Sequence, residues 1–253
     1  MDDRTIDLRV LRRDGPDSPS RWESFRIPRR PGLNVISCLM EIQRNPVNTQ
    51  GEPTAPVAWE QNCLENVCGS CTMLVNGKPR QACATLVDRI GTTIELRPLT
   101  KFRTLRDLIV DRTPMFQALK RLKAWVPIDG THDLGPGPLL SAEDQALRYA
   151  VSQCMTCGCC MEACPQYNPG SEFLGPAPLA QNYLFLIHPT GRLHRSEMRR
   201  LAMEPGGIND CGNAQNCVRV CPKNVPLTEA LAGLYRETTI QWFKDLLGRS
   251  DRS

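Results

Sequence analysis

Residues 154–165, CMTCGCCMEACP, set five cysteines within eleven positions and close on a proline. Four of them, Cys154, Cys157, Cys160 and Cys164, follow the spacing C-x2-C-x2-C-x3-C-P. That run places thiolates for iron–sulfur ligation, and in two-cluster proteins its fourth cysteine serves the other cluster. A partner run is therefore required, and it stands at residues 211–222, CGNAQNCVRVCP. Cys211, Cys217 and Cys221 keep the same offsets, but Ala214 stands where the first run has Cys157. The pairing predicts one [4Fe–4S] site from Cys154, Cys157, Cys160 and Cys221. It predicts a second site from Cys164, Cys211 and Cys217. Alanine offers no thiolate, so the second site has three ligands and is expected to hold [3Fe–4S]; a four-iron cluster with water or another ligand at the open corner is the alternative. Pro165 and Pro222 fix φ, carry no N–H and turn the chain away from each site.

A third group lies upstream. CLENVCGSC, residues 63–71, places Cys63, Cys68 and Cys71 as C-x4-C-x2-C, and Cys83 follows. This is the plant-type [2Fe–2S] spacing. Three thiolates on so short a loop enclose two irons only if the backbone curls closely, which Gly69 suits. The fourth ligand is expected on the return strand of a hairpin. A four-cysteine zinc site is the alternative, although it more usually shows paired C-x2-C knuckles.

Two cysteines stay outside these sets. Cys38 falls in a predicted helix over 35–45 as a small core residue, and Cys159 reads as a packed bystander beside Cys160. His132, His188 and His194 are isolated, with no metal-ligand partner at short spacing. His188, in HPTG, is expected to hydrogen-bond a turn. No acid–base pair at a substrate pocket and no nucleotide fingerprint is visible, so no catalytic residue is assigned.

Composition narrows the class. A chain of 253 residues suggests one or two domains. Thirteen cysteines is an odd number, falling into three tight groups plus outliers, whereas a disulfide framework spreads over a shorter, exported chain. The first ten residues, MDDRTIDLRV, lack a basic region followed by an apolar one, so no secretory signal is expected. The arginine pairs at 12–13 and 29–30 run into polar or Pro/Gly-rich sequence, which argues against an export signal there. The longest apolar run, YLFLI at residues 183–187, is far below the roughly 20 residues that span a bilayer. The net charge is +4, yet Lys and Arg are scattered without a basic block or aromatic platform, so nucleic acid is not an expected partner. Three clusters carrying about −2 each would turn that excess into counter-charge.

The patterning predicts an α+β chain. TIDLRV alternates Ile6, Leu8 and Val10 as a half-buried strand, and WESFRI pairs with it. NVISCLMEIQRN has helical period, TMLVNGKPRQACATLV is a hairpin about Asn76-Gly77, and TTIELRPL is a further strand. After Lys101 the texture becomes helical: a helix over 104–126 broken near Pro114, a Gly/Pro-rich loop at 129–138, and a helix over 142–153 capped by Ser141 with Asp144 placed for a capping box. Further helices are expected in LAQNYLFLI, RLHRSEMRRLAM and the closing TEALAGLYRETTIQWFKDLL. The division falls at 1–104 for the [2Fe–2S] domain and 105–253 for an all-α domain carrying the other two clusters.

With these motifs the chain resembles the iron–sulfur subunit of succinate dehydrogenase and fumarate reductase. CLENVCGSCTMLVNGKPRQAC, LRDLIVDRTPMF, CMTCGCCMEACP and CGNAQNCVRVCPKNVPLT carry the resemblance over nearly the whole length. It implies a plant-ferredoxin β-grasp domain followed by a helical bacterial-ferredoxin domain. It also implies a flavoprotein partner carrying covalent FAD, where succinate is oxidised, and an integral membrane anchor, where quinone is reduced. Electrons are then expected to pass from FAD through [2Fe–2S], [4Fe–4S] and [3Fe–4S] to quinone, with the chain held peripherally at the cytoplasmic face of the cell membrane. Some branches carry a Trp shortly after the Cys-Pro and a His after the cysteine at the Cys211 position. Here the sequence reads CPQYNPG and Gly212, so Pro165, Tyr167 and Gly212 mark only the quinone neighbourhood. CGNAQNCVRVCP and HPTG look more like the branch with a single-chain dihaem cytochrome b anchor and menaquinone. The same complex run as a fumarate reductase is one rival reading, and a free polycluster ferredoxin is another.

Overall fold

The computed structural model describes residues 5–126 and 140–248. The chain divides into two compact units, Met1–Arg112 with Met155–Glu162, and Thr113–Cys154 with Ala163–Ser253. The loop expected at 129–138, with His132, lies outside the described residues.

The first unit is built on a five-stranded sheet. Its strands are β1 (Thr5–Arg12), β2 (Arg21–Pro28), β3 (Thr72–Val75), β4 (Lys78–Gln81) and β5 (Thr93–Arg97), in the order β2-β1-β5-β3-β4. Only the β1–β5 pair is parallel. The alternation of β1 is the reason it forms: Ile6, Leu8 and Val10 are buried in one core with Phe25, Ile94 and Leu96. Helix α1 (Val35–Arg44) contributes Val35, Ile36, Cys38, Leu39 and Ile42 to that core. Asn34 caps it, Oδ1 accepting the Ser37 N–H at 2.8 Å. A short helix α2 (Val87–Ile90) precedes β5. Asn76 and Gly77 both take positive φ, 49° and 73°, which closes β3 onto β4 as a two-residue hairpin. The register opposes Thr72 to Gln81, so Cys71 and Cys83 flank the hairpin's open end.

The helix expected over 104–126 is corrected in its first part. Residues 104–110 form two short strands, β6 (Thr104–Arg106) and β7 (Ile109–Val110), and helix α3 runs Thr113–Arg121. Pro114 does not break this helix. It stands in its first turn, where an N–H has no intrahelical partner to lose. The turn between the strands is fixed from far away. Asp107, fully buried at φ 44°, accepts Arg12 Nε at 2.9 Å, Arg13 N at 2.9 Å and Ala58 N at 2.8 Å. That network outweighs local helix propensity. Arg12 also binds Glu23 and the Ala55 carbonyl, which pins residues 55–58 ahead of Cys63.

From residue 113 onward every regular element among the described residues is helical. After α3 come α4 (Ala142–Ser152), α5 (Cys159–Ala163), α6 (Pro176–Leu186), α7 (Arg195–Met203), α8 (Asn216–Arg219) and α9 (Leu227–Leu246). Ser141 caps α4 as expected, Oγ accepting the Asp144 N–H at 3.1 Å. RLHRSEMRRLAM is helical only from Arg195, because Pro189–His194 is a 3-10 turn. Gly233 in α9 makes room for Tyr183 of α6; a Cβ there would meet the phenol at 2.4 Å. Arg199 of α7 is buried and ion-paired with buried Glu237 of α9. No helix among the described residues is long and apolar enough to cross a membrane.

Candidate iron–sulfur centres

The loop from Cys63 to Cys71 curls through left-handed residues, Leu64 at φ 62°, Asn66 at 57° and Gly69 at 76°. Such turns point successive N–H groups into a concavity. Cys63 Sγ accepts three of them, from Glu65 and Val67 at 3.4 Å and Cys68 at 3.3 Å. Cys68 Sγ lies 3.0 Å from Ser70 Oγ. Against the penalty of burial, hydrogen bonds from Ser70 and the Cys63 backbone bring the Cys68 thiol down to about 6. Across the hairpin, Cys71 Sγ stands 3.3 Å from Cys83 Sγ, and burial pushes the Cys71 thiol up to about 12. Two sulfurs so close, with two more on an N–H-lined loop, are a donor set that fits a two-iron cluster.

In the same unit, residues 155–162 bring Cys157, Cys159 and Cys160 into buried positions. Thr156 at φ 49° and Gly158 at 88° shape the turn before α5, and Gly158 packs on Phe102 and Leu99. Glu162 anchors the turn: Oε1 accepts Thr100 N at 3.0 Å and Thr100 Oγ1 at 2.6 Å, and Oε2 accepts Lys101 N at 3.1 Å. A hydrogen bond from the Cys159 thiol leads the influences that lower Cys157 to about 7, and the cation of Arg112 adds to it. Cys159 is fully buried, as the sequence implies. Gln81 Nε2 lies 3.8 Å from its sulfur.

In the second unit Cys164, Cys211 and Cys217 share the wall of a cavity of about 350 Å³ with Ala214. Pro165, Gln166, Ile208, Leu231 and Tyr235 complete much of that wall. Asn213 at φ 49° and Gln215 at 58° curl the loop around it. Asn216 Nδ2 donates to the Ala163 carbonyl at 3.2 Å, tying the two cysteine runs together. Burial raises the Cys217 thiol, and Cys164 and Cys211 add to the rise. A three-sulfur cavity with a methyl group at the fourth position fits a cluster lacking one corner ligand. Cys221 takes a different neighbour, its Sγ accepting Val225 N at 3.4 Å. Cys154 sits just beyond α4, its N–H donating to the Val151 carbonyl at 3.2 Å.

Of the three residues expected near quinone, Pro165 and Gly212 line the cavity. Tyr167 is partly buried, which raises its phenol, and is not part of the wall. No disulfide joins any of the thirteen cysteines. Cys38 is fully buried in the first core, and His188 Nδ1 meets Thr190 Oγ1 at 2.5 Å within its turn, both as expected. Arg112, Gln81 and Glu162 were not legible as site residues, because each acts on a sulfur loop through a fold contact and follows no spacing rule.

Comparison with known proteins agrees with this geometry. Residues 7–117 match the family model of a 2Fe-2S iron-sulfur cluster binding domain, and residues 150–225 match that of a 4Fe-4S dicluster domain. The chain is 53% identical over 249 residues to the succinate dehydrogenase iron-sulfur subunit of Bacillus subtilis, covering 98% of both chains. It is 28% identical to the fumarate reductase iron-sulfur subunit of Wolinella succinogenes, over 92% of this chain and 97% of that one. The fold is similar to a chain of the Mycobacterium smegmatis Sdh1 complex in the apo form, with a TM-score of 0.76 at 23% identity, over 94% of this chain and 97% of that one.

Proposed function

Since the chain belongs to the family of succinate dehydrogenase iron–sulfur subunits, we propose how its residues carry out that subunit's work. It is the electron-transfer subunit of a succinate:quinone oxidoreductase and holds [2Fe–2S], [4Fe–4S] and [3Fe–4S] clusters. When bound, these clusters supply one-electron steps between the FAD of a flavoprotein subunit and quinone at a membrane anchor. Cys63, Cys68, Cys71 and Cys83 hold the first; the 3.3 Å approach of Cys71 and Cys83 supports this. Cys154, Cys157, Cys160 and Cys221 hold the second. Cys164, Cys211 and Cys217 hold the third, and their shared cavity with Ala214 is the observation that carries the reading. The chain's own task is to present sulfurs, aim N–H groups at them and keep them dry.

The β-grasp reading of residues 1–104 and the bacterial-ferredoxin reading of 105–253 belong to the same proposal. The five-stranded sheet with α1 in its core supports the first, and the helical build after residue 113 supports the second. The partner anchor is a dihaem cytochrome b working with menaquinone at the cytoplasmic face of the membrane, and Pro165, Tyr167 and Gly212 lie toward quinone. The motifs CGNAQNCVRVCP and HPTG support this branch. Purification from detergent-solubilised membranes tests it: a larger flavoprotein and a haem-containing membrane protein should accompany the chain. A chain that purifies alone and fully loaded overturns it in favour of a free ferredoxin. The fumarate reductase relative favours one second reading, the reverse direction. Succinate oxidation outpacing fumarate reduction with the native quinone decides against it.

A further inference from the structure

Arg112 stands between β7 and α3 and turns its guanidinium onto the first cluster loop. Nη1 donates to the Gly69 carbonyl at 2.7 Å and Nη2 to the Ser70 carbonyl at 2.5 Å. The side chain is 13% exposed, and its Nε is buried without a hydrogen-bond partner. The nearest carboxylate to Nη2 is that of Glu60 at 3.6 Å, itself 44% exposed. The two carbonyls are neutral, so they fix the cation in place without cancelling it. Gly69, whose carbonyl the guanidinium holds, lies directly against the second sulfur loop: a Cβ there would stand 2.9 Å from the Cα of Cys157. One buried positive charge thus serves two sulfur loops of the same unit.

Adding an electron makes a cluster more negative, and a nearby cation at low dielectric favours that state. Net charge and hydrogen bonding near the sulfurs are among the main settings of cluster potential. We infer that Arg112 is a positioning and potential-setting residue shared by the cluster of Cys63, Cys68, Cys71 and Cys83 and the cluster held by Cys157: it holds the Gly69–Ser70 turn and favours reduction on both sides. The inference rests on the ligand sets proposed above.

The test is an EPR-monitored redox titration of the assembled complex. In Arg112→Gln, the ratio of reduced to oxidised [2Fe–2S] and [4Fe–4S] centres at a fixed ambient potential should fall about tenfold. For a one-electron couple that is a midpoint lower by about 59 mV. The three-iron centre should not move. Arg112→Lys keeps the charge and should restore most of the shift. Arg112→Gln with intact clusters and unmoved potentials overturns the inference, as does Arg112→Lys shifted as far as Arg112→Gln. Should Arg112→Gln fail to assemble, Glu60→Gln decides, because losing that partial counter-charge should raise both potentials; unchanged potentials overturn the inference. The ligand reading is tested apart by Cys157→Ser. Retention of the four-iron signal there refutes the ligand set, whereas a failure confined to Arg112→Gln refutes only the arginine's role.

Discussion

A Cβ on Gly69 would stand 2.9 Å from the Cα of Cys157 and 2.8 Å from the carbonyl oxygen of Met155. The loop of the first cluster and the turn carrying Cys157 therefore meet backbone to backbone. The meeting is possible because one of them lacks a side chain at that point.

Gly69→Ala should consequently damage the [2Fe–2S] centre. The left-handed φ of 76° alone costs a side-chain residue about 1–2 kcal/mol, and the obstructing atoms are mostly backbone, which cannot swing aside. Iron content and the [2Fe–2S] EPR signal of purified complex should fall. A variant with full signal and wild-type thermal stability would show that the loops separate freely.

Ala214→Cys should convert the third centre. The residue already lies on the wall shared by Cys164, Cys211 and Cys217, so a thiol there can complete the run. The oxidised three-iron signal should give way to a reduced four-iron one. Quinone reduction should slow, while succinate oxidation with an artificial flavin-level acceptor stays near normal. Persistence of the three-iron signal in an assembled variant refutes the assignment of Ala214 as the missing ligand position.

Cys221→Ser should abolish the four-iron signal and spare the three-iron one, although Cys221 belongs to the second run. The three-sulfur cavity is complete with Cys164, Cys211 and Cys217. EPR of the variant decides, and loss of the three-iron signal alone would reverse the crossover.

Cys38 gives a pH prediction. Burial pushes its thiol up to about 12, with Glu41 adding to the rise, whereas an unfolded cysteine ionises near about 8.5. The unfolded chain therefore holds fewer protons than the fold between these values. Stability is fully present below about 8.5 and is lost as pH rises toward 12, by up to about 1.4 kcal/mol per unit. Melting temperature from pH 7 to 10.5 should drop more steeply in the native chain than in Cys38→Ala. Parallel profiles would refute it. Native protein at pH 9 should also leave Cys38 unalkylated by iodoacetamide.

What could be read from the residues was what repeats at a fixed interval. The alternation in β1 and the Asn76-Gly77 turn both act over a few residues, and each appears in the fold. The hairpin at 104–110 did not, because its cause is Asp107 meeting Arg12, Arg13 and Ala58 across the sheet. Arg112 escaped for the same reason, its partners Gly69 and Ser70 lying some forty positions upstream. Cys159 was recognised as off the ligand spacing, and it is fully buried in the fold.

The hairpin of β3 and β4 has a consequence for biogenesis. It closes a separation of 12 residues between Cys71 and Cys83, a local event on a timescale of about microseconds. The cavity of Cys164, Cys211 and Cys217 needs Tyr235 for its wall and so waits for almost the whole chain. At ribosomal rates of about 5–20 residues per second, the first thiol set is ready for its iron seconds before the last one exists. The order in which the thiol sets are completed thus runs from the amino-terminal end onward.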